Sequence, residues 1–247
     1  MITQATINDN ASPASGAEDA TKPVRTNKKG EQIVAPSGDM LTRVCMDGTY
    51  FSAVNPTMGT GIAASVQATF VATNALAVIR NMDTTALPTG KQVQLDYMRL
   101  ICTAAGTGTT AMDMAIVIDP SNRYSSGGTA LTQTAPRRSG PTTTTIARVD
   151  FGAVTCAAAG GSARTVSRLK LKHAALVVGD EFFIAFGGRR GGGPFALNGA
   201  AAASYEYSVG PVSLDPSATA NSCVFHVWYA GVSAAPSFEC EFGLWER

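Results

Sequence analysis

Two stretches of the sequence, NSCVFHVWYA (221–230) and SFECEFGLWER (237–247), decide the fold. In the second stretch, apolar residues alternate one by one with Glu239, Glu241 and Trp245, which is the side-chain period of a β-strand. The last residues of a chain usually fray unless they are tied into the fold. Alternating aromatic residues at this position therefore predict an inner strand, paired along both edges, in a closed or sandwiched β-fold.

The composition of the chain is poor in charge. Of its 247 residues, 15% are charged, against about 25% in typical soluble domains, and small residues take their place. Low-charge surfaces persist best inside assemblies, so we expect much of the surface to be covered by copies of the chain or by partners. The net charge of +1 argues against a globally basic nucleic-acid-binding protein.

Cysteine usage and the N-terminal residues indicate the compartment. The five cysteines are widely spaced, form no CxxC pair and are expected to be reduced thiols: Cys45, Cys102, Cys156, Cys223 and Cys240. The sequence shows no secretion signal and no apolar run of about 18 residues that would predict a membrane helix. We therefore expect the protein to be made and assembled in a cytoplasm, without contact with a membrane.

Residues 1–30 are predicted to form an extended N-terminal arm, and residues 31–247 the folded domain. The arm is rich in breakers and has almost no apolar periodicity, so it cannot offset the entropy cost of its own ordering. It is expected either to be disordered or to lie on a neighbouring subunit. Four basic residues cluster at its end: Lys22, Arg25, Lys28 and Lys29.

Short alternating segments separated by Gly, Pro and Asn turns run through the folded domain. They predict strands at 31–35, 41–46, 49–54, 62–72, 76–81, 92–104, 112–118, 144–156, 163–178, 181–186 and 205–214, followed by the two stretches quoted above. The turn Gly106-Thr107-Gly108 predicts a hairpin between 92–104 and 112–118. Residues 119–143 and 187–204 are predicted to be long loops.

This spacing of strands is typical of an all-β sandwich or barrel. The long crossing loops favour a jelly-roll-like antiparallel β-sandwich over an up-and-down meander. An immunoglobulin-like sandwich is the alternative, although its Cys–Trp–Cys spacing is missing. Helix signals are weak throughout the chain.

Residues that could carry chemistry are few. His173 and His226 are the only histidines, and no nucleophile elbow, HExxH, P-loop or dinucleotide-binding motif accompanies them. His226, inside an apolar run, is predicted to be a hydrogen-bonded core or interface residue, and His173 to lie on a solvated strand face. The sequence therefore predicts neither an enzyme nor a cofactor.

Acidic residues offer two weaker candidates. Glu181, Glu239 and Glu241 could supply the paired carboxylates of a glycoside hydrolase only if distant strands converge, and a solvated or interface face is the preferred interpretation. The segment DPSNRYSSGG (119–128) is polar enough for calcium but lacks the spacing of an EF-hand and its terminal glutamate. No metal is predicted there.

Arginine pairs are the best candidates for contacts with a partner. The run GGRRGGG (187–193) resembles an RGG element, but it occurs once and without interleaved aromatic residues, so no nucleic acid is expected. Together with the basic cluster of the arm, two pairs form the predicted partner contacts: Arg137, Arg138, Arg189 and Arg190. Arg168, Lys170 and Lys172 are predicted to form a basic outer face of one strand.

Four blocks of the sequence resemble virion structural proteins of tailed bacteriophages. They are LDYMRLICTAAGTG (95–108), IDPSNRYSSGGTALT (118–132), VGDEFFIAFGG (178–188) and the closing FHVWYAG and FECEFGLWER within 225–247. The likeness lies in these blocks and in their order. It spans roughly residues 25–247 and carries no active-site residue.

The resemblance implies a component of the virion, first of all a capsid cement or decoration protein that binds the major capsid protein or other virion proteins. A homotrimer is the expected assembly, since closed cyclic symmetry is the usual outcome for such oligomers. A tail or fibre component, or a receptor- or glycan-binding module, is the alternative. In that module Tyr205, Tyr207, Trp228 and Trp245 could stack on sugars.

Overall fold

The computed structural model describes residues 49–136, 145–187 and 202–247, which belong to the unit Val44–Arg247. Every regular element in these residues is a β-strand, so the all-β prediction is confirmed. The strands are β1 (Tyr50–Val54), β2 (Ile62–Ala63), β3 (Asn74–Asn81), β4 (Val93–Ala104), β5 (Ala111–Asp119), β6 (Tyr124–Thr134), β7 (Ala147–Cys156), β8 (Arg164–Lys172), β9 (Glu181–Phe186), β10 (Ser204–Val209), β11 (Ser213–Leu214), β12 (Ser222–Ala230) and β13 (Ser237–Glu246). No described segment forms a helix with the length and apolarity of a membrane span.

The strands hydrogen-bond in one continuous order, β10-β9-β4-β13-β1-β6-β7-β3-β12-β5-β8, with β11 attached to β4 and β2 to β13. All these pairs are antiparallel except β10 and β9, which are parallel. Strand β6 is shared, because residues 132–134 pair with β1 whereas residues 124–131 pair with β7. The order therefore divides at β6 into a first sheet (β10, β9, β4, β13, β1) and a second sheet (β7, β3, β12, β5, β8).

Strand β13 is an inner strand, as its sequence predicts. It pairs with β4 along its whole length and with β1 over residues 241–245. The side chains of Phe238 and Phe242 are fully buried, whereas Glu239 and Glu241 are half-buried on the opposite face. One face of this strand therefore belongs to the core and the other to the surface.

Aromatic side chains of the two sheets meet in the core. The ring centroid of Phe242 in β13 lies 6.1 Å from those of Phe151 in β7 and Phe225 in β12. The Phe225 ring also contacts Phe186 in β9 at 6.1 Å. Edge-to-face contacts of this kind are the geometry that aromatic pairs prefer. The described strands thus form a sandwich of two layers with their inner faces packed together.

Side chains bring the two outermost strands, β10 and β8, together. The Tyr207 hydroxyl donates a hydrogen bond of 2.6 Å to the Leu171 carbonyl, and burial raises the pKa of Tyr207 to about 12. The Lys172 ammonium lies 2.5 Å from the Asp180 carboxylate, and both residues are buried. The sandwich is therefore nearly closed. The prediction that Lys172 lies on an outer basic face is wrong, because an irregular register in β8 turns it towards the core.

The predicted hairpin across Gly106-Thr107-Gly108 is also wrong. Strand β4 belongs to the first sheet and β5 to the second, so this turn carries the chain from one layer to the other. It lies against the equivalent connection between β12 and β13, where the Thr107 amide donates a 3.0 Å hydrogen bond to the Ala234 carbonyl. Gly106 and Gly108 have φ angles of 72° and 75°. Because hairpin turns need the same glycine conformations, the sequence does not distinguish the two cases.

Residues 119–143 are not the continuous long loop that their composition predicts, since they contain β6. In this strand, Gly127 and Gly128 have φ angles of 74° and 69° and lie at irregularities in the pairing with β7. Residues that permit such bulges are also typical turn residues. A bulged strand therefore resembles a loop in the sequence.

Three further strand predictions are shortened or divided. Of the predicted strand 62–72, only β2 is a strand, and the predicted strand 163–178 ends at Lys172. The predicted strand 205–214 is divided into β10 and β11 by Gly210 and Pro211. Proline cannot donate a hydrogen bond to a ladder, which accounts for the division. The predicted arm 1–30, the strands predicted at 31–35 and 41–46, and most of the predicted loop 187–204 lie outside the described residues.

A buried arginine joins three connections at one end of the second sheet. The Arg123 side chain is 1% exposed, and its guanidinium lies 3.2 Å from the Asp119 carboxylate. It also donates hydrogen bonds of 2.9 Å to the carbonyls of Ala72 and Ala157. Because Arg123 and Asp119 are both buried, their charged groups depend on one another for their polar contacts.

Asp119 receives its hydrogen bonds from protein groups. Ser121 donates through its amide and its hydroxyl, and the Gly160 amide donates at 3.0 Å. Burial alone would raise the pKa of Asp119, but these bonds and the one from Arg123 together lower it. A carboxylate with a lowered pKa stabilises the fold above its ordinary pKa, and this contribution is lost as the pH falls through the lowered value.

Replacing Arg123 by Met should lower the free energy of unfolding by about 3–5 kcal/mol, because the Asp119 carboxylate is left buried without its counter-charge. Urea denaturation at neutral pH measures this loss. Arg148→Met is the matched control, since the Arg148 side chain is 52% exposed and lies 3.8 Å from Asp150. The control should change the free energy of unfolding by less than about 1 kcal/mol. Equal losses in both variants would contradict this role of Arg123.

Candidate functional site

All residues predicted as partner contacts lie outside the described residues: Lys22, Arg25, Lys28, Lys29, Arg137, Arg138, Arg189 and Arg190. Their role therefore stays a prediction. Two other surfaces, one on the outer face of each sheet, are described, and each brings together chemically distinct side chains.

The outer face of the first sheet is acidic. Five carboxyl groups belong to this surface, which we call the acidic face: Asp96, Glu181, Glu206, Glu239 and Glu241. Arg99 is the only Lys or Arg residue in β1, β4, β9, β10 and β13. Neighbouring strands lie about 4.8 Å apart, so side chains in register on this face are close enough to interact.

Arg99 lies at the centre of the acidic face. Cross-strand register places it beside Phe183 on one side and Glu241 on the other, and Glu206 continues the row beyond Phe183. The Arg99 Nε donates a 2.6 Å hydrogen bond to Glu181, and its Nη1 lies 3.6 Å from Glu241. The hydrogen bond to Glu181, helped by the charges of both glutamates, raises the pKa of Arg99. One guanidinium therefore joins β9, β4 and β13.

Two tyrosines supply further donors to the acidic face. The Tyr97 hydroxyl donates a 2.5 Å hydrogen bond to Glu241, and its ring stacks on Phe183 with 5.3 Å between centroids. The Tyr50 hydroxyl donates to Asp96 at 2.9 Å. Burial first, and the neighbouring carboxylates second, raise the pKa of both tyrosines well above the ordinary value. Both hydroxyls therefore keep their protons and act as donors.

A β-bulge places Asp96 and Tyr97 on this face. The pairing of β4 with β13 shifts at Gly243, and Asp96 is the extra residue between the paired residues Leu95 and Tyr97. A bulge of this kind moves the alternation of side chains by one residue. The uniform alternation predicted for residues 92–104 is consequently wrong across the bulge, because the buried positions change parity there.

Apolar side chains border the acidic face. Met58 is 94% exposed and Val54 is 44% exposed. Together with Ile101 and two of the glutamates they line a pocket of about 230 Å³. Surfaces that bind other proteins commonly combine exposed apolar side chains with a polar rim.

The glutamates of the acidic face are arranged for binding. Glu181 and Glu241 share the Arg99 guanidinium, and Glu241 also accepts from Tyr97. Carboxylates on an outer sheet face that already hold a guanidinium between them are suited to contact with cationic groups of a partner. Glu239 and Glu241 lie on one face of β13, as the sequence predicts.

A groove lies on the outer face of the second sheet. Phe70 and Trp228 form one wall, while Asp113, Arg168 and Lys170 contribute to the other, and the groove has a volume of about 490 Å³. We call it the aromatic groove. The Phe70 ring is half-exposed and packs edge-on against Trp228 with 5.7 Å between centroids. This is a concave site with both apolar and charged walls.

His226 is placed as the sequence predicts, whereas His173 follows the last residue of β8 and does not lie on the predicted strand face. His226 is buried, its Nδ1 lies 2.7 Å from the Asn74 carbonyl oxygen, and the Phe70 ring packs against it at 5.1 Å. Burial lowers the pKa of His226, so the ring is neutral at ordinary pH. His173 is exposed.

Four of the five cysteines are described, and all four are buried free thiols: Cys102, Cys156, Cys223 and Cys240. Burial raises the pKa of Cys102 and of Cys156 to about 11. Such thiols stay protonated and are poor nucleophiles at neutral pH. Cys45 lies outside the described residues. Within the ranges that the structure covers, no group of three or more His, Cys, Asp or Glu side chains is placed to hold a metal ion.

Several residues of these surfaces cannot be recognised as site residues from the sequence alone. Tyr50, Tyr97 and Arg99 lie in strands whose pairing partners are unknown until the register is known. The position of Arg99, as the only basic residue in β4, is the one local signal that singles it out. Phe70 lies in a segment predicted as a strand, and Asp113 is an acid that interrupts the apolar residues at the start of β5.

Comparison with known proteins found no matching family model, no matching curated protein and no matching solved structure. The likeness of four sequence blocks to bacteriophage virion proteins therefore stays an expectation based on those residues. The case for a function rests on the two surfaces.

Replacing Tyr97 by Phe should make the protein less sensitive to alkaline pH. Since the pKa of Tyr97 is raised from 10.0 on folding, its stabilising contribution is complete below pH 10 and is lost as the pH rises towards the folded value. The free energy of unfolding of the wild-type protein, measured in urea between roughly pH 9 and 11, should therefore fall more steeply than that of Tyr97→Phe. Thr103→Val, which removes a hydroxyl that does not titrate in this range from the same strand, is the control and should keep the wild-type slope. Identical slopes for wild type and Tyr97→Phe would contradict this assignment.

Proposed function

We propose that the protein is a structural component of a bacteriophage virion, assembled in the host cytoplasm. In this proposal it is a capsid cement or decoration protein that stabilises the head by binding at capsomer junctions, and it has no enzymatic activity. The resemblance of four sequence blocks and the low charge of the chain support this role.

The acidic face is the observation that carries the proposal. It combines five carboxyl groups and a single guanidinium with the exposed apolar side chains of Val54 and Met58. Complementary charge orients a partner, and burial of apolar area, at about 25 cal/mol per Å², supplies affinity. A surface of this composition on the broad side of a sheet is best suited to docking on another protein.

The charge of the acidic face favours a basic partner segment. The chain itself contains one in its predicted arm, the cluster between Lys22 and Lys29. An arm of one subunit that binds the acidic face of the next links the copies, and three such contacts close a homotrimer. In the proposal, the pairs Arg137-Arg138 and Arg189-Arg190 bind the major capsid protein or another virion protein.

A jelly-roll-like arrangement of the sandwich belongs to the same proposal. The consecutive strands β3, β4 and β5 lie in the second, first and second sheet, and β12 and β13 also lie in different sheets. Repeated crossing between layers supports a jelly roll over a meander.

The purified protein should bind isolated empty capsids of the phage that encodes it. Deletion of residues 1–30 should weaken this binding about tenfold or more, because the arm links the subunits of the trimer and separated subunits lose their multivalent attachment to the capsid. Co-sedimentation at a series of protein concentrations measures both affinities. An unchanged affinity would remove the arm from the proposal, and failure of the full chain to bind would contradict the cement function.

In solution the full chain should sediment as a trimer that dissociates at high salt, because salt screens contacts between exposed charges. Glu206→Lys reverses a charge on the acidic face and should shift the equilibrium towards the monomer. Asp215→Lys reverses an exposed acid outside this face and should leave the trimer intact. A wild-type protein that is monomeric at low salt, as measured by analytical ultracentrifugation, would count against the trimer.

The alternative, a tail or fibre component or a receptor- or glycan-binding module, depends on the other surface. Of the aromatic residues expected to stack on sugars, Tyr205 and Tyr207 pack against the core. Trp228, in contrast, lines the aromatic groove. This placement favours ligand binding at the groove as a second candidate function.

A further inference from the structure

We propose that the aromatic groove binds a sugar that carries a carboxylate. Its volume of about 490 Å³ is within the range of about 300–1,000 Å³ that small-molecule sites occupy. The groove belongs to the second sheet and is separate from the acidic face of the first. The inference rests on the second candidate function and names its ligand class, and it does not depend on the cement function.

The aromatic wall of the groove is firmly supported. Phe70 packs edge-on against both Trp228 and the buried His226, at interplanar angles of 83° and 67°. His226 is in turn fixed by the Asn74 carbonyl. The Phe70 ring nevertheless stays 49% exposed. Anchored aromatic rings that face a cavity are suited to stack against the C–H face of a pyranose ring, which covers their apolar area.

The opposite wall carries an excess of positive charge. Arg168 is exposed, lies opposite the small residue Ala115 and makes no ion pair with any described residue. Lys170 lies opposite Asp113, and the two charged groups are 4.0 Å apart. The groove thus has two cations for one carboxylate. A free guanidinium beside a small residue has room to bind a ligand carboxylate through two parallel hydrogen bonds.

The acid in the groove argues for a sugar over a nucleic acid. The Asp113 side chain lies 4.0 Å from Lys170 and lines the groove, so a chain of several phosphates would meet its negative charge at close range, whereas a ligand with a single carboxylate at Arg168 would not. The same carboxylate accepts hydrogen bonds from hydroxyl groups, and the Thr165 hydroxyl on the groove wall can donate or accept. This mixture of donors, an acceptor and a net positive charge fits a hydroxyl-rich ligand with a single carboxylate.

Isothermal titration calorimetry with the full chain tests the assignment. The acidic probes are 3′-sialyllactose and a disaccharide that contains a hexuronic acid, and lactose is the neutral probe. At least one acidic probe should bind saturably, and lactose should bind about tenfold more weakly or not at all, because the charge-assisted hydrogen bonds to Arg168 are lost. Equal affinities for acidic and neutral probes, or no binding of either acidic probe, would overturn the proposal.

Three variants locate the site. Arg168→Gln should weaken binding of the acidic probe about tenfold or more, while Arg168→Lys should retain part of the affinity because the charge is kept. Trp228→Leu should abolish binding. Arg164→Gln removes an exposed arginine from the same strand but outside the groove, and it should bind as the wild type does. Unchanged affinity in Arg168→Gln, or equal weakening in Arg164→Gln, would overturn the assignment.

Two further measurements keep the result unambiguous. Phe70→Leu, at a half-exposed position, is a milder change of the aromatic wall and should also weaken binding while circular dichroism and the urea midpoint stay close to those of the wild type. Titration with a single-stranded oligonucleotide examines the competing class of ligand. If the oligonucleotide binds to the wild type but not to Trp228→Leu, and neither acidic sugar binds, the ligand of the groove is a nucleic acid. This outcome would overturn the proposal.

Discussion

The contact of Phe242 with Phe151 and Phe225 is the interaction on which the rest of the structure depends. It joins the inner strand of the first sheet to two strands of the second sheet. Either sheet alone would expose an apolar face to water, and packing the two faces together removes both from solvent. Because side chains alternate along a strand, every strand that contributes to this core also presents residues to the outside. The acidic face and the aromatic groove are the outer sides of these same strands.

The part of the fold that can be predicted from the sequence is the set of strands in which apolar and polar residues alternate. The inner position of β13 and the strand at 93–104 follow from regular patterns of apolar residues. Strand β6 is not recognisable from the sequence, because Gly127 and Gly128 allow bulges and are also typical of a turn. The turn between β4 and β5 resembles a hairpin, because a glycine turn within a sheet and one between sheets have the same composition. Local patterns identify strands, whereas the assignment of strands to layers depends on contacts distant in the sequence.

The candidate surfaces were harder to foresee than the fold. The acids on β13 were recognised as one face, but their partner Arg99 comes from β4 and Glu181 from β9. Only the register of three strands brings these residues together. The bulge at Asp96 also changes which side of β4 faces outwards, and the pattern of apolar residues does not show it. The aromatic groove depends on Phe70, which a strand prediction placed in the wrong kind of element. The residues that the sequence did favour, the arginine pairs and the basic cluster of the arm, lie outside the described part of the chain.

The position of β13 between β4 and β1 also has a kinetic meaning. Its two neighbours come from much earlier in the chain, β1 from the first described residues. Pairing of distant segments requires the closure of a long loop, whose entropy cost comes before the free energy gained from the new contacts. Chains rich in such pairings therefore fold slowly. Until β13 inserts, the edges of β4 and β1 are open to pairing with another chain. For a molecule of this architecture, aggregation starts most easily before β13 has inserted between β4 and β1. Synthesis of many copies at one place would bring more chains within reach of these open edges.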